Sequence, residues 1–338
     1  MEHIGFPLEI LLILVGVVIF SAALDLNVFQ KTDTMSLKAA TGWTLFWICM
    51  ALLFYVYLLE RFDKRFADLF LVGFVLEKSL SLDNLMVFMV IFNNFNLTGA
   101  IQSRVLFLGI LGAIVFRIVF ASIGTALFAW SPWIGFVFAL IVGWTAWKML
   151  TTDDSDEAMV DYSHHWSVRW TENHLPIFPR LSGLHLFIDE ATARAEAERD
   201  PSIRYQAGMN RYATPALLCL VVVQMTDVMF SFDSVPAVVA VTQEPILVWS
   251  AMMFAVLGLR ALYYVLAAMV RMLVHLGKAI VVLLFYIALK LAMGASNEIF
   301  HWPGIHISPA TSLTIVACVL GLGVLASFLF PPKEQAGQ

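Results

Sequence analysis

Long uncharged stretches dominate this sequence and limit what it can fold into. A run of about 20 apolar residues can cross the hydrocarbon core of a bilayer as a helix. The chain is 60% hydrophobic and only 13% charged, whereas a typical soluble domain is about 25% charged. These features predict an all-α, polytopic helical membrane protein with about nine transmembrane helices. The predicted windows are 7–26, 41–60, 69–93, 103–126, 128–150, 213–243, 247–272, 278–295 and 309–330.

Two of these windows carry acidic motifs that match each other. The first is EKSLSLDN at 77–84, and the second is DVMFSFDS at 227–234. Each has an acid, a serine four residues later, an aspartate six residues later and a small polar residue directly after it. Ionisable groups are costly at membrane depth and are kept where they face a bundle interior or an aqueous path. The repetition therefore predicts one site that is built twice. The polar residues of the motifs are Glu77, Lys78, Ser79, Ser81, Asp83, Asn84, Asp227, Ser231, Asp233 and Ser234.

The spacing within the first motif constrains how a helix can present it. Six residues turn a helix by about 240°, so Glu77 and Asp83 point to different faces. Glu77 and Asn84 share one face, and Ser79 and Asp83 share another. Two interpretations stay open: the helix is locally broken, or each acid serves a different part of one path.

The window that carries the second motif is longer than a bilayer requires, which predicts tilt or a break. Pro236 supplies a cause for a break, because it cannot donate a hydrogen bond to the carbonyl of Phe232. That carbonyl would lie beside Asp233 and Ser234. Bare carbonyls are tolerated at membrane depth when they line a cavity, and they are good ligands for a hard cation.

Each motif-bearing window is followed by a window that contains an arginine. Arg117 follows Gly109 and Gly112, whose small size permits close helix packing. We interpret Arg117 as a counter-ion for a motif carboxylate when no metal is bound, with a structural ion pair or a snorkelled side chain as the alternative. Arg260 has the corresponding place after the second motif. Lys290, His301 and His306 are interpreted as interfacial or solvated.

The order of the windows predicts an internal repeat. Windows three to five and six to eight form two units of three, and units with an odd number of spans enter the membrane from opposite sides. Inverted repeats with a polar site near the midplane are the layout of many secondary transporters. The predicted divisions are 1–60 with two peripheral helices, 61–150 with the first repeat, 151–212 as a cytosolic loop, 213–295 with the second repeat, and 296–338 with the last helix and tail.

Basic residues predict the orientation. Most of them fall on the side opposite the N-terminus, whereas Arg61, Lys64 and Arg65 fall on the N-terminal side. The positive-inside rule then places the N-terminus outside and the C-terminus in the cytosol. The first window follows Glu2 rather than basic residues, so it is interpreted as retained and not as a cleaved signal. Single cysteines in three windows predict neither a disulfide framework nor a thiolate metal site.

One long hydrophilic segment separates the two predicted repeats. It begins with a run of acids and contains His164, His165, His174 and His185. A metal-sensing loop is one interpretation, but the histidines lack regular ligand spacing, and a solvated charged loop is the ordinary explanation. A patch rich in Ala, Glu and Arg at 189–200 is helix-like.

At its motifs this chain resembles the TerC family of membrane proteins. The matching stretches are GFVLEKSLSLDN at 73–84, RVLFLGILGAIVFR at 104–117, RYATP at 211–215, TDVMFSFDSVPAVVAVT at 226–242 and FAVLGLRALYYV at 254–265. The resemblance implies a bacterial inner-membrane protein with two inverted repeats, associated with manganese export and tellurium resistance. It also implies a set of ion-site candidates, which are Glu77, Asp83, Asn84, Asp227, Asp233 and Ser234. Many family members have an acid where Gln224 stands, and this departure implies a dispensable acid or an altered coupling or metal preference.

The chemistry of these candidates agrees with a hard cation. Carboxylate, amide and hydroxyl oxygens without Cys or His suit Mn²⁺, Mg²⁺ or Ca²⁺ better than Cu⁺ or Zn²⁺. The choice of Mn²⁺ comes from the resemblance. Crowded carboxylates in a low dielectric favour protonation of an empty site, which predicts proton antiport. The expected partners are a divalent ion, protons and the bilayer, with no nucleic acid and no permanently bound cofactor.

Two other function classes compete with a divalent-cation exporter. In a non-transporting scaffold or assembly factor linked to tellurite or pH stress, the buried charges only tie helices together, and Asp83→Glu should be tolerated. In an intramembrane enzyme, paired aspartates act as acid and base. The motifs lack the Gly-x-Gly-Asp context of such enzymes, so we expect no enzymatic activity.

Overall fold

The computed structural model describes residues 5–24, 35–151, 166–200, 203, 208–269, 276–300 and 307–329. In chain order, the helices of these residues are α1 Leu8–Leu24, α2 Leu37–Arg61, α3 Lys64–Asn94, α4 Gly99–Trp130, α5 Trp133–Thr151, α6 Trp166–His174, α7 Glu190–Arg199, α8 Pro215–Val241, α9 Pro245–Val256, α10 Leu259–Met269, α11 Leu276–Phe300 and α12 Pro309–Leu329. Two short strands, β1 Phe187–Asp189 and β2 Arg211–Ala213, flank α7.

The helices confirm a polytopic α-helical membrane protein. Six of them, α2, α4, α5, α8, α11 and α12, are long and apolar enough to cross a bilayer, and the bent pair α9 and α10 is a seventh candidate, as one broken span or as a re-entrant loop. The other two predicted spans coincide with α1, which has 17 residues, and with α3, whose apolar part contains Glu77, Lys78 and Asp83. The total of nine spans stays a prediction.

Helix breaks do not occur where the sequence predicted them. α3 is continuous through its motif, so Glu77 and Asp83 do lie on different faces of one helix. α8 is also continuous through Pro236, so the predicted break there is wrong. Pro236 and the residues next to it are buried, and this packing holds the helix together although one hydrogen bond is missing. The break lies instead between α9 and α10, which are bent by 52°.

Glycines allow α4 to pack closely on α8, as predicted for Gly109 and Gly112. A Cβ at Gly109 would lie 3.1 Å from Val223 Cγ1, and a Cβ at Gly112 would overlap the carboxamide of Gln224. A Cβ at Gly124 would lie 2.7 Å from Val235 Cγ1. Contacts therefore advance along both helices in the same direction, and α4 and α8 are parallel.

The two motif helices run in opposite directions. α3 and α4 are consecutive and joined by a short turn, and α4 is parallel to α8, so α3 is antiparallel to α8. Accordingly, a Cβ at Gly73, early in α3, would lie 3.4 Å from Val238 Cγ1, late in α8. Each motif helix also packs against the helix that follows the other motif helix. α8 packs on α4, which follows α3, and α3 packs on α9, which follows α8. A twofold relation would produce this exchange, although the inverted repeat itself stays a prediction.

The hydrophilic segment contains a small folded unit, so its described part is not only a loop, although its charged side chains are exposed or partly exposed. β1 and β2 pair in antiparallel register, with Phe187 opposite Ala213. α7 confirms the helix-like patch, and its N-cap Asp189 accepts a hydrogen bond from Thr192 N at 3.0 Å. Hydrogen bonds from Thr192 hold the pKa of the Asp189 carboxyl below its ordinary value. A separate apolar core formed by Phe178, Ile188, Ala193 and Tyr212 stabilises the unit.

Other predictions about this segment and the termini are only partly within the described residues. His164, His165, His301 and His306 lie outside them. Arg104 Nη1, near the start of α4, donates to the carbonyl oxygen of Leu184 at 2.8 Å and attaches the small unit to that end of the bundle. All three cysteines are free.

Candidate ion site

Arg117 on α4 joins the two acidic motifs. Its side chain lies between α3 and α8 and is 1% exposed, and Glu77 and Asp227 are 0% and 3% exposed. Arg117 Nη1 forms an ion pair with Glu77 Oε1. Arg117 Nη2 donates to Asp227 Oδ1 at 3.1 Å. We call Glu77, Arg117 and Asp227 the buried triad. Arg117 therefore pairs with one carboxylate from each motif, as a counter-ion or a structural ion pair would, and its burial excludes a snorkelled side chain.

Asn84 completes the polar surroundings of Arg117. In the amide orientation that satisfies both of its atoms, Asn84 Oδ1 accepts from Arg117 Nη2 at 3.2 Å and Nδ2 donates to the Leu80 carbonyl at 3.1 Å. Glu77 and Asn84 therefore meet the same partner, as their spacing of seven residues on a continuous helix predicts.

The buried triad carries more negative than positive charge. Two carboxylates and one guanidinium leave one net negative charge when both acids are ionised, in a region where water is scarce. Among the described residues, Glu77 Oε2 and Asp227 Oδ2 have no hydrogen-bond partner, and the buried hydroxyl of Ser234 has none either. Buried polar atoms without partners are costly. These oxygens have the capacity to accept a proton or a hard cation.

Asp83 and Asp233 lie on other faces of their helices than the triad acids. Each follows the triad acid of its own helix by six residues, which turns the helix by about 240°. Because α3 and α8 are antiparallel, Asp83 is displaced from Glu77 and Asp233 from Asp227 towards opposite ends of the bundle. Both side chains are partly exposed. Asp233 Oδ1 accepts a hydrogen bond of 2.6 Å from Thr145 Oγ1 on α5.

The structure thus divides the predicted six-residue site into parts. Glu77, Asn84 and Asp227 meet at Arg117, whereas Asp83 and Asp233 lie on other faces of α3 and α8. In the described part of the chain, no group of three or more His, Cys, Asp or Glu side chains is placed to hold a metal ion. Sequence reasoning missed Thr145, although a hydroxyl in an otherwise apolar window was an available signal.

Two of the four motif serines, Ser79 and Ser231, bond to their own helices. Ser79 Oγ donates to the Val75 carbonyl at 2.6 Å, and Ser231 Oγ donates to the Asp227 carbonyl at 2.9 Å. Such bonds satisfy a hydroxyl within lipid without tying it to a partner helix. These two serines therefore contribute less to the site than their position in the motifs predicted.

Gln224 lies on α8 one turn before Asp227. Its Nε2 donates to the carbonyl oxygen of Gly109 at 2.8 Å, and its carboxamide covers Gly112. An ionised acid at this position has no N–H to donate to that carbonyl. The Gln224 carboxamide therefore stabilises the packing of α8 on α4. This contact is one physical role for a glutamine in place of an acid at position 224.

The remaining charged residues have other partners. Lys78 Nζ donates to backbone carbonyls at the end of α9, as described below. Arg260 donates to Ser103 Oγ on α4 and lies outside the buried triad. Lys290 is only partly exposed and donates to Ser312 Oγ on α12 at 2.9 Å, beside a cavity of about 130 Å³. Its interpretation as interfacial or solvated is therefore wrong in part, because α12 covers it.

Comparison with known proteins places this chain among integral membrane proteins. The profile of the integral membrane protein TerC family matches residues 62–335. The chain is 44% identical to "Tellurium resistance protein TerC" of Serratia marcescens over 338 residues, which cover 99% of this chain and 97% of that relative. It is 33% identical to "Putative membrane-bound redox modulator Alx" of Salmonella typhi over 297 residues, 86% of this chain and 85% of the relative. No solved structure matches. The motifs, the helical bundle and these similarities together show that the chain belongs to the TerC family.

Proposed function

We propose that this protein exports divalent cations, with Mn²⁺ as the transported ion, across the bacterial inner membrane. The observation that carries the proposal is the meeting of Glu77 and Asp227, one acid from each motif, at a single buried arginine. An acid pair of this kind can bind a divalent ion. The choice of Mn²⁺ rests on what the resemblance to the TerC family implies. The hard oxygen donors of the site agree with that choice.

Charge explains how the buried triad could alternate between two states. Arg117 supplies one positive charge to the two carboxylates, and a divalent ion would supply two. Binding of the ion therefore replaces Arg117 as the partner of Glu77 and Asp227, and Arg117 returns when the ion leaves. Asn84 Oδ1, which accepts from Arg117 in this structure, would become an oxygen donor to the ion.

Asp83 and Asp233 are positioned to bind the ion as it enters and leaves the bundle. With the N-terminus outside and the C-terminus in the cytosol, Asp83 lies nearer the cytosol than Glu77, and Asp233 lies nearer the outer side than Asp227. Both are more exposed than the triad acids. We assign them to a path through the bundle, which is the second of the two interpretations of the motif spacing.

Cellular manganese content tests the export proposal. In cells that lack their own exporters and are challenged with Mn²⁺, we expect the wild type to lower the manganese content severalfold. Glu77→Gln with Asp227→Asn should abolish this effect, because the neutral pair cannot hold a divalent ion. A matched control is Glu172→Gln with Glu198→Gln, which removes two exposed carboxylates, one on α6 and one on α7. Export by the neutral pair at wild-type level would contradict the proposal.

Proton coupling has a separate test. In everted membrane vesicles, we expect Mn²⁺ uptake to accelerate when the lumen is acidified and to fall to the background rate with an uncoupler. Protons that reach the carboxylates from the outer side favour release of the ion there. Equal uptake with and without the gradient would exclude antiport but leave export intact.

A scaffold function is the second candidate, and one observation favours it. The buried triad ties α3, α4 and α8 together, which a structural role alone would explain. A scaffold predicts no change in manganese content for any variant and full phenotypic activity for Asp83→Glu. We assign no residue to enzymatic catalysis.

A further inference from the structure

The break between α9 and α10 exposes backbone carbonyls inside the bundle. The two helices meet at Leu257 and Gly258, where Gly258 has φ of +78°. The last carbonyls of a helix have no partner within it, and lipid offers none. α4, which has the corresponding place after the first motif, is unbroken from Gly99 to Trp130. The break is therefore a feature of one half of the molecule.

Lys78 supplies the missing partner. Its Nζ donates to the carbonyl oxygens of Ala255 at 2.9 Å and Leu257 at 3.2 Å. The C-terminal end of α9 also carries partial negative charge, which favours a cation there. Within the described chain, Lys78 forms no ion pair with a carboxylate. Its ammonium group is held by backbone oxygens alone, in the way that a free cation would be held.

The lysine and the break occur together. In the second motif, the residue directly after the first acid is Val228, and the helix that packs against that motif, α4, has no break. In the first motif this place is taken by Lys78, and the packed helix is α9, which ends at the break. Lys78 also directly follows Glu77, so it links the break to the acid of the buried triad.

We propose that the α9–α10 break is a cation site, formed by the carbonyls of Ala255 and Leu257 and filled by Lys78 as a tethered occupant. Lys78 is thereby a positioning residue that fixes the break against α3. When the Lys78 side chain is removed, the site binds small primary ammonium ions, which supply the same N–H donors. The proposal does not depend on metal export.

Thermal unfolding of purified protein in detergent tests this site. Lys78→Ala is expected to lower the unfolding temperature by about 5 °C, because two buried carbonyls lose their donor. Propylammonium chloride, which matches the atoms that the substitution removes, should restore at least half of the loss. Tetramethylammonium chloride has no N–H donor and should restore nothing beyond the effect of sodium chloride.

Lys290→Ala is the matched control, because Lys290 is also partly exposed within a membrane helix but donates to a hydroxyl. Its unfolding temperature should not respond to propylammonium. If Lys78→Ala does not accumulate, Lys78→Gln, which retains an N–H donor, should accumulate, whereas Lys78→Met, which fills similar space without a donor, should not; equal accumulation of the two would then contradict the proposal. An unchanged unfolding temperature, equal restoration by both ammonium salts, or no restoration by either would overturn the proposal.

Discussion

Replacing Arg117 with methionine is expected to destabilise the folded protein by about 3–5 kcal/mol, because Glu77 and Asp227 then remain as buried carboxylates without their cation. The unfolding temperature in detergent and the amount of protein in the membrane measure this effect. Arg169→Met is the matched control, since Arg169 is exposed on α6, and we expect a change within about 0.5 kcal/mol.

Removing all three charges of the buried triad should destabilise the folded protein less than removing the charge of Arg117 alone. In Arg117→Met combined with Glu77→Gln and Asp227→Asn, no buried charge is left uncompensated, and neutral replacements of buried ion triads are often well tolerated. We expect this triple variant to regain most of the lost stability but no manganese export. Equal destabilisation of the single and triple variants would show that Arg117 acts through packing and not through charge. Export by the triple variant would contradict the proposed function.

Replacing Gly258 with alanine is expected to cost about 2–5 kcal/mol. A Cβ there would lie between 2.5 and 2.9 Å from the Cδ1, Cγ and Cβ atoms of Trp47, and Trp47 Cβ cannot move without its backbone. Overpacking of this kind costs about 1–3 kcal/mol. The φ of +78° adds about 1–2 kcal/mol of backbone strain for any residue with a Cβ. The unfolding temperature in detergent measures the sum.

Two further variants separate these causes. Gly321→Ala on α12 is the control, because nothing lies within 4 Å of its added Cβ, and it should be neutral or slightly stabilising. Trp47→Ala removes the two closest clashing atoms, Cδ1 and Cγ, but leaves Cβ and the backbone strain. Gly258→Ala with Trp47→Ala should therefore be less destabilised than the sum of the single changes. Strict additivity would mean that Trp47 does not restrict this position.

Several features could be predicted from local patterns. The apolar windows predicted the membrane class because each is long enough to cross the bilayer by itself. The shared face of Glu77 and Asn84 followed from helical periodicity, and the close approach of α4 to α8 followed from the size of Gly109 and Gly112. An arginine in an apolar helix also had to find an anion, which correctly indicated Arg117.

Other features needed the packed structure. Pro236 was a local reason for a break, but buried neighbours keep α8 continuous, whereas the actual break at Leu257 and Gly258 is held by Lys78 from a helix far away in the chain. The small folded unit was missed because its core has only a few apolar residues within a strongly charged segment.

The sequence by itself determined that this chain is a helical membrane protein with two acidic motifs and with positive charges inside its apolar segments. Helical periodicity is local, so it decides which residues share a face of one helix. It does not decide which faces meet. Only the tertiary structure brought Glu77 and Asp227 to Arg117 and displaced Asp83 and Asp233 towards opposite ends of the bundle, because those distances depend on how α3, α4 and α8 pack and on their relative directions.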